Sequence, residues 1–322
     1  MSQLLSGLTK NPKRLPDTKR RGLSRRMRDS LILLMLCLPG LICIIIWNYV
    51  PMFGVLVAFK NYAPRKGIIG SDWVGLKYFM YFFKSQDAWR TIRNTLLYSI
   101  DFLVTGLVAG VGVALMLYYL RGRIPLKIYH TTILIPQFIS INIIAFMVFA
   151  VLNPAAGLLN RVIEAFGGEG PLWYNDPKYW PVILTIVNLW CGLGSGSLYY
   201  YSALMSIDKS LFEAASIDGA GTLKQCRHIA LPHLTSIICM MTILGLGNIF
   251  SGSLGLHREI TMQTGSLLPT VDIIDYYTYR SLLSGDLVRS AAVSLFQNLV
   301  GLVLVITVNK IVDKISPENS MF

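Results

Sequence analysis

The sequence predicts an all-α protein: a polytopic transmembrane helical bundle of six spans with a two-helix loop on its cytoplasmic side. Three observations carry that prediction. Of 322 residues, 53% are apolar and only 14% are charged, against roughly 25% charged in a soluble domain. Apolar runs of about 20 residues, the length that crosses a bilayer, recur along the chain. A basic leader feeds directly into the first of them. With a mean hydropathy of +0.54, these features exclude a soluble enzyme and a disordered chain.

The elements follow in order. Residues 1–28 hold nine Lys or Arg against Asp17, which accounts for +8 of a formal net charge of +12. A nucleic-acid protein would place such charge on a folded face beside base-stacking groups. Here it abuts an apolar run, so it reads as an orientation signal that keeps a tail over residues 1–30 in the cytoplasm. No nucleic-acid partner is expected.

The first run, 31–59, is too long for a signal peptide and no A-x-A-like cleavage site follows it, so it reads as an uncleaved anchor. Later runs lie at 95–120, 128–152, 180–206, 232–252 and 290–312, giving a membrane domain over 31–314. Six crossings put the 121–127 loop (Arg121, Arg123, Lys127), the 207–231 loop and the C-terminal end (Lys310, Lys314, tail 315–322) on the side of the N-terminus. Each is basic or mixed, as the positive-inside rule requires.

One segment resists that rule. Residues 60–93 carry seven basic groups against Asp72 and Asp87, yet fall outside. Interleaved aromatics (Trp73, Tyr78, Phe79, Tyr81, Phe82, Phe83, Trp89) suit a helix lying on the bilayer surface. The same charge also suits an acidic binding-protein surface or an acidic sugar chain.

Inside the spans the signals concern packing. Gly106, Gly110 and Gly112 give a small-residue face for close helix approach. Asp101 reads as a polar contact near the membrane surface or as part of a gate or solute path. Asn142, Asn188, Asn248, Gln297 and Asn298 are intramembrane amides, which both donate and accept hydrogen bonds. They serve either as interhelical contacts or as the lining of a path for a hydroxyl-rich solute. The five cysteines include no C-x-x-C pair and read as small buried hydrophobes, with neither a disulfide framework nor a metal site.

Residues 207–232, IDKSLFEAASIDGAGTLKQCRHIALP, are too polar to span and too patterned for a passive loop. Ser206 or Asp208 can cap a short helix through Glu213–Ile217. Gly219 and Gly221 permit a sharp turn. A second short helix over Thr222–Ile229 follows, and Pro232 falls in the first turn of the next span, where its missing N–H is harmless. The product is a rigid knob with a small-residue surface, suited to docking another protein.

Glu213, Ala214 and Ala215, then Asp218, Gly219 and Ala220, then Ile229, Leu231 and Pro232 resemble the EAA loop of permease subunits of binding-protein-dependent ABC importers. The likeness extends over nearly the whole chain. Leu268-Pro269-Thr270 through Asp272, Asp275, Tyr279 and Arg280 resembles the maltose-type carbohydrate branch that imports complex or acidic oligosaccharides. Two positions depart: Cys226 where Phe is usual, and Ser236 where a second Pro is common.

The resemblance implies a multi-pass permease of a prokaryotic cell membrane with both termini cytoplasmic. It implies an extracytoplasmic solute-binding protein, a second homologous permease and two ATPase subunits as partners. The loop would seat in the ATPase, and the solute would be an oligosaccharide, with an acidic one set ahead of a neutral one. ATP and Mg would reside in the ATPase subunits, with no cofactor on this chain, which lacks a G-x-x-x-x-G-K-[ST] loop. Within the same importer class a non-sugar solute stays open. An ion-coupled secondary transporter is less well served, since Asp101 is the only carboxylate clearly within a predicted helix. A membrane enzyme would need convergent groups, whereas His130, His228, His233 and His257 are scattered.

Overall fold

The computed structural model describes residues 23–120 and 122–315. The basic leader before Leu23, Arg121 and the tail after Ile315 lie outside the described residues, and with them the expectations placed there. Two compact units divide the chain between Gly54 and Val55. In the first, α1 (Leu23–Ile44) passes into a π-helical turn over Ile45–Tyr49. Helical structure continues as a 3₁₀ segment to Phe59, and Ser30–Phe59 is long and apolar enough to cross a membrane.

The second unit is helical apart from a two-residue antiparallel pairing of Lys60–Asn61 with Asp72–Trp73. Helix α2 (Lys77–Lys84) precedes the 34-residue α3 (Gln86–Tyr119). Next come α4 (Arg123–Leu134), α5 (Ile141–Leu152), α6 (Leu158–Ala165) and α7 (Trp180–Met205). The knob follows as α8 (Lys209–Ile217), and α9 (Thr222–Gly247) is the next span. The chain closes with α10 (Leu254–Glu259), α11 (Ile274–Leu283) and α12 (Leu287–Ile315). Among the described residues five helices could each span a membrane, and a bent pair makes a sixth if counted as one crossing.

That bent pair corrects the expectation of one straight helix over 128–152. The halves Ile124–Phe138 and Ile141–Leu152 meet at 98°. Pro136 has no N–H for the α ladder, and Ile135–Phe138 tightens into a 3₁₀ turn. Ile139 and Ser140 are extended, and the Ser140 carbonyl then accepts from Ile143 N–H at 2.9 Å to begin α5. The break is held against α7. A Cβ added at Gly194 would sit 2.5 Å from the Ile133 carbonyl oxygen and 2.8 Å from Leu134 Cα.

Helix α3 packs along α7, and of its three candidate glycines only Gly110 makes a close approach. A Cβ there would lie 3.1 Å from the Tyr200 ring, whereas Gly106 and Gly112 have nothing within 4 Å. The expected shared face is therefore a single contact.

The segment 60–93 is shorter as a loop than expected, because α3 begins at Gln86 and not at 95. Helix α2 buries Phe82 against Tyr277 and Phe296, with ring centroids 5.4 and 6.3 Å away, and leaves Met80, Tyr81 and Phe83 exposed. Much of the basic surplus is engaged internally. Lys60 donates to the Ile68 and Ile69 carbonyls at 2.9 Å. Arg90 pairs with Asp87 and Asp272, and Arg93 donates to Asn94 Oδ1 at 3.0 Å and to the Pro269 carbonyl at 3.3 Å.

Candidate functional site: the 207–232 knob and the cavities between spans

The knob is built by local rules. Asp208, not Ser206, caps α8: its carboxylate accepts from Ser210 N–H at 2.9 Å, and that bond holds its pKa below the usual range. The helix ends in a Schellman turn. Ala220 N–H reaches the Ala215 carbonyl at 2.8 Å and Gly219 N–H the Ser216 carbonyl at 3.1 Å. Such a turn needs a left-handed residue, and Gly219 has φ +75°. Gly221 instead has φ −69° and ψ 166°, extended backbone at the start of α9. Gln225 Nε2 donates to Ser216 Oγ at 2.9 Å and to the Ala220 carbonyl at 3.1 Å, which pins the two arms together.

The second arm differs from expectation. It does not end before the span; it is the first part of α9. A π-helical turn over Cys226–Ala230 joins the two, with Leu231 N–H bonded to the Cys226 carbonyl. One inserted residue lets the helix pass Pro232, whose absent N–H would otherwise interrupt the ladder. Continuity has a mechanical consequence: a push on the knob is delivered straight into a span.

At the root, Ile207, Ala230 and Leu234 are buried in one cluster with Tyr200 and Leu204, and Ile229 packs beside them. Phe212 packs from the knob onto the end of α3, its ring centroid 5.4 Å from that of Tyr118 and 6.5 Å from that of Tyr119. At the tip, Ile217 is 87% exposed and Leu223 83% exposed. Glu213, Ala214, Asp218 and Gly219 are exposed alongside, Leu231 and Pro232 are exposed nearer the root, and Ala215 and Ala220 are half-buried. Phe212, Tyr118, Tyr119 and Gln225 were not singled out from sequence.

The intramembrane amides separate. Asn188 lines a cavity of about 240 Å³ with Phe102, Gly106, Gly192 and Tyr199. Asn248 lines a neighbouring cavity of about 250 Å³ that shares Phe102 and Leu103. Gln297 is buried and committed: its Nε2 donates to Asp275 Oδ1 at 2.8 Å and to the Phe250 carbonyl. Asn298 is exposed and donates to the Ser294 carbonyl one turn back, and Asn142 is exposed at the start of α5. Asp101 accepts from Thr185 Oγ1 at 2.5 Å and lines a third cavity, of about 480 Å³, with Arg93 and Tyr98.

The stretch 268–280 forms a lock. Arg90 and Arg280 both reach Asp272, which is fully buried. Asn94 Nδ2 donates to the Asp272 carbonyl at 3.1 Å, and Ile274 N–H donates to Thr95 Oγ1 at 2.9 Å. Arg258 lies 4.3 Å over the Tyr279 ring. These residues position α3 against α11.

The chain as a whole matches known proteins. The family described as "Binding-protein-dependent transport system inner membrane component" matches residues 106–317. The chain belongs to that family. It is similar to the polygalacturonan/rhamnogalacturonan transport system permease protein YteP of Bacillus subtilis (strain 168), with 33% identity over 93% of each chain. Among solved structures it is similar to a chain of a bacterial ABC transporter involved in import of the acidic polysaccharide alginate. That match has a TM-score of 0.83 and 29% identity over 91% of this chain and 99% of the other. A bacterial alginate ABC transporter in complex with an alginate pentasaccharide-bound periplasmic protein gives 0.82 and 28%, over 91% and 98%. The chain is thus an inner-membrane permease component of an ABC importer, not an enzyme in its own right.

Proposed function

We propose that this chain forms half of the solute path of an ATP-driven importer for acidic oligosaccharides. The observation that carries the coupling role is the knob itself. Its exposed apolar tip, Ile217 and Leu223, stands on a turn closed by Gly219 and on a root packed into α3 and α7. A docking surface that is rigid beneath and apolar at its centre transmits force without deforming. In this reading the knob seats in an ATPase subunit, with Glu213 and Asp218 at the wetted rim. Both termini then lie on the cytoplasmic side with the knob.

The partners are two ATPase subunits, which hold ATP and Mg, a second homologous permease, and a solute-binding protein. A relative named for polygalacturonan and rhamnogalacturonan transport, and neighbours named for alginate, support an acidic carbohydrate. The cavities beside Asn188 and Asn248 supply amides and hydroxyls suited to sugar. Closure and opening of the path follow from rigid-body movement of α9 with the knob.

The test is a ligand screen on the cognate binding protein, followed by ATPase measurement on the reconstituted complex. Stimulation by binding protein loaded with an oligouronide is expected. Stimulation only by a neutral sugar would discard the acidic solute, and stimulation only by a non-carbohydrate would discard the sugar.

A further inference from the structure

Helix α6 is inside out: apolar side chains face away from the protein and an amide faces in. Leu158, Val162 and Phe166 recur four residues apart and share one face, where they are 62%, 44% and 89% exposed. On the opposite face Asn160 is only 4% exposed. Its Oδ1 accepts from Trp173 Nε1 at 2.7 Å, and its Nδ2 donates to the Pro154 and Pro171 carbonyls at 3.3 and 3.4 Å. Those bonds tie α6 to the chain on both sides of it. Rolling the helix to bury Leu158 and Phe166 would break them and leave a polar group unsatisfied. A stripe locked outward in this way is stable where its surroundings are themselves apolar.

Its location shows which surroundings those are. Helix α6 lies between the end of α5 at Leu152 and the start of α7 at Trp180, and the knob follows the other end of α7. It therefore stands at the membrane boundary opposite the knob. Leu159, beside the stripe, lines a groove of about 340 Å³ with Met147 and Val151 of α5 and Ile186 and Trp190 of α7, and every described side chain that lines it is apolar. Those four partners are exposed in turn, so the stripe continues the apolar face of the span. Arg161 and Glu164 are exposed on the remaining side of α6. Arg161 flanks the stripe, where its stem can lie on acyl chains and its guanidinium can reach phosphate. Tyr179, with Lys178 4.6 Å over its ring, marks the same boundary, as aromatic residues do at headgroup level. A stable protein interface takes roughly 800 Å² from each partner, far more than three side chains present, whereas a bilayer needs no matching surface.

We propose that α6 is an interfacial anchor. It lies along the membrane surface opposite the knob, with Leu158, Val162 and Phe166 among phospholipid acyl chains, Asn160 fastened to the protein and Glu164 in water. The inference needs the spans but not the identity of the solute.

The test uses the assembled importer in vesicles of phosphatidylcholine and phosphatidylglycerol, in a background without the five native cysteines that keeps wild-type ATPase stimulation. A nitroxide is attached in turn at Val162→Cys, Phe166→Cys and Glu164→Cys. Its collisions with oxygen, which concentrates in lipid, are compared with those of a water-soluble nickel chelate. The oxygen-to-chelate ratio at 162 and 166 is expected to be several-fold higher than at 164. Two stripe positions guard against a label that distorts one of them. A ratio at 162 and 166 equal to that at 164 would place the stripe in water and overturn the anchor. Protection of 162 and 166 from both reagents would overturn it too, by showing a protein over the stripe: the partner permease if the protection is constant, the binding protein if it appears only when that protein is added.

Discussion

Arg90 and Asp272 are 182 positions apart in sequence, yet the guanidinium of one lies 2.8 Å from the carboxylate of the other. Arg280 meets the same oxygen at 2.5 Å, and Asp87 holds Arg90 from its own helix at 2.6 Å. Two cations and two anions are thereby gathered where the start of α3 meets the segment before α11. Burial pushes the Asp272 carboxyl pKa up, while Arg280 and Arg90 pull it down. The surplus basic charge of 60–93 is partly the near half of this cluster.

Removing the buried anion should therefore be worse than removing either cation. Asp272→Asn leaves two guanidiniums without their shared partner, and the loss expected for breaking a buried pair is about 3–5 kcal/mol. Arg90→Gln should lose less, because Arg280 still covers the carboxylate. Thermal unfolding of the purified protein in detergent ranks the two. An equal or reversed order would show that Asp272 is not the hub.

Gly194 gives a steric prediction. Its added Cβ would meet backbone of the broken span at 2.5 Å, and backbone cannot rotate away. Gly194→Ala should destabilise the protein by about 1–3 kcal/mol. Gly112→Ala, with open space around it, should be neutral or slightly stabilising. Similar unfolding midpoints for the two would contradict the packing of α4 on α7.

Much of this was legible from residues alone, and the failures have physical causes. Spans were visible because apolar runs do not depend on partners. A cap at Ser206 or Asp208 and a turn at Gly219 and Gly221 were visible because they depend on residues within one turn; the choice of Asp208 and Gly219 was not. The 98° break was not, since Pro136 says only that the ladder is interrupted, and the direction of the chain beyond it depends on the space left by Gly194. The merging of the second knob helix with α9 was hidden because a proline ordinarily marks a start, and only the π turn lets the helix run through Pro232. Among the solute-path amides, Gln297 and Asn188 look alike in sequence. What separates them is Asp275, which sits 22 positions from Gln297 and claims its amide.

Acid should loosen the fold through His257. Its folded pKa of about 4 lies below the usual 6.5, so the unfolded chain takes up the proton first. Stability is full above pH 6.5 and falls as pH drops from 6.5 toward 4, by about 3 kcal/mol at the lower limit. His257→Asn should remove that component of the pH dependence. A variant whose midpoint falls with pH as steeply as the wild type would show that the ring is not held neutral.

Lys77 and Lys84 flank α2. Lys77 lies 5.6 Å over the Tyr81 ring, and among the described residues neither lysine has an ion pair. If they draw anionic sugar or an acidic binding protein, Lys77→Gln with Lys84→Gln should slow uptake at low salt and matter little at high salt. A deficit independent of salt would assign them to the bilayer surface instead.

The central claim is that the knob converts ATP hydrolysis into movement of this chain, and Gly219 tests it most directly. Its φ of +75° excludes a branched side chain, while no neighbouring atom lies within 4 Å to clash with one. Any effect must therefore come from the turn and from what docks on it. The measurement is ATPase activity stimulated by loaded binding protein in the reconstituted complex, for wild type, Gly219→Asn and Gly219→Val. Asparagine tolerates the left-handed region and should retain a substantial share of stimulation. Valine should abolish stimulation while the protein still inserts in the membrane at wild-type levels. Full stimulation in the inserted Gly219→Val protein would contradict the coupling role.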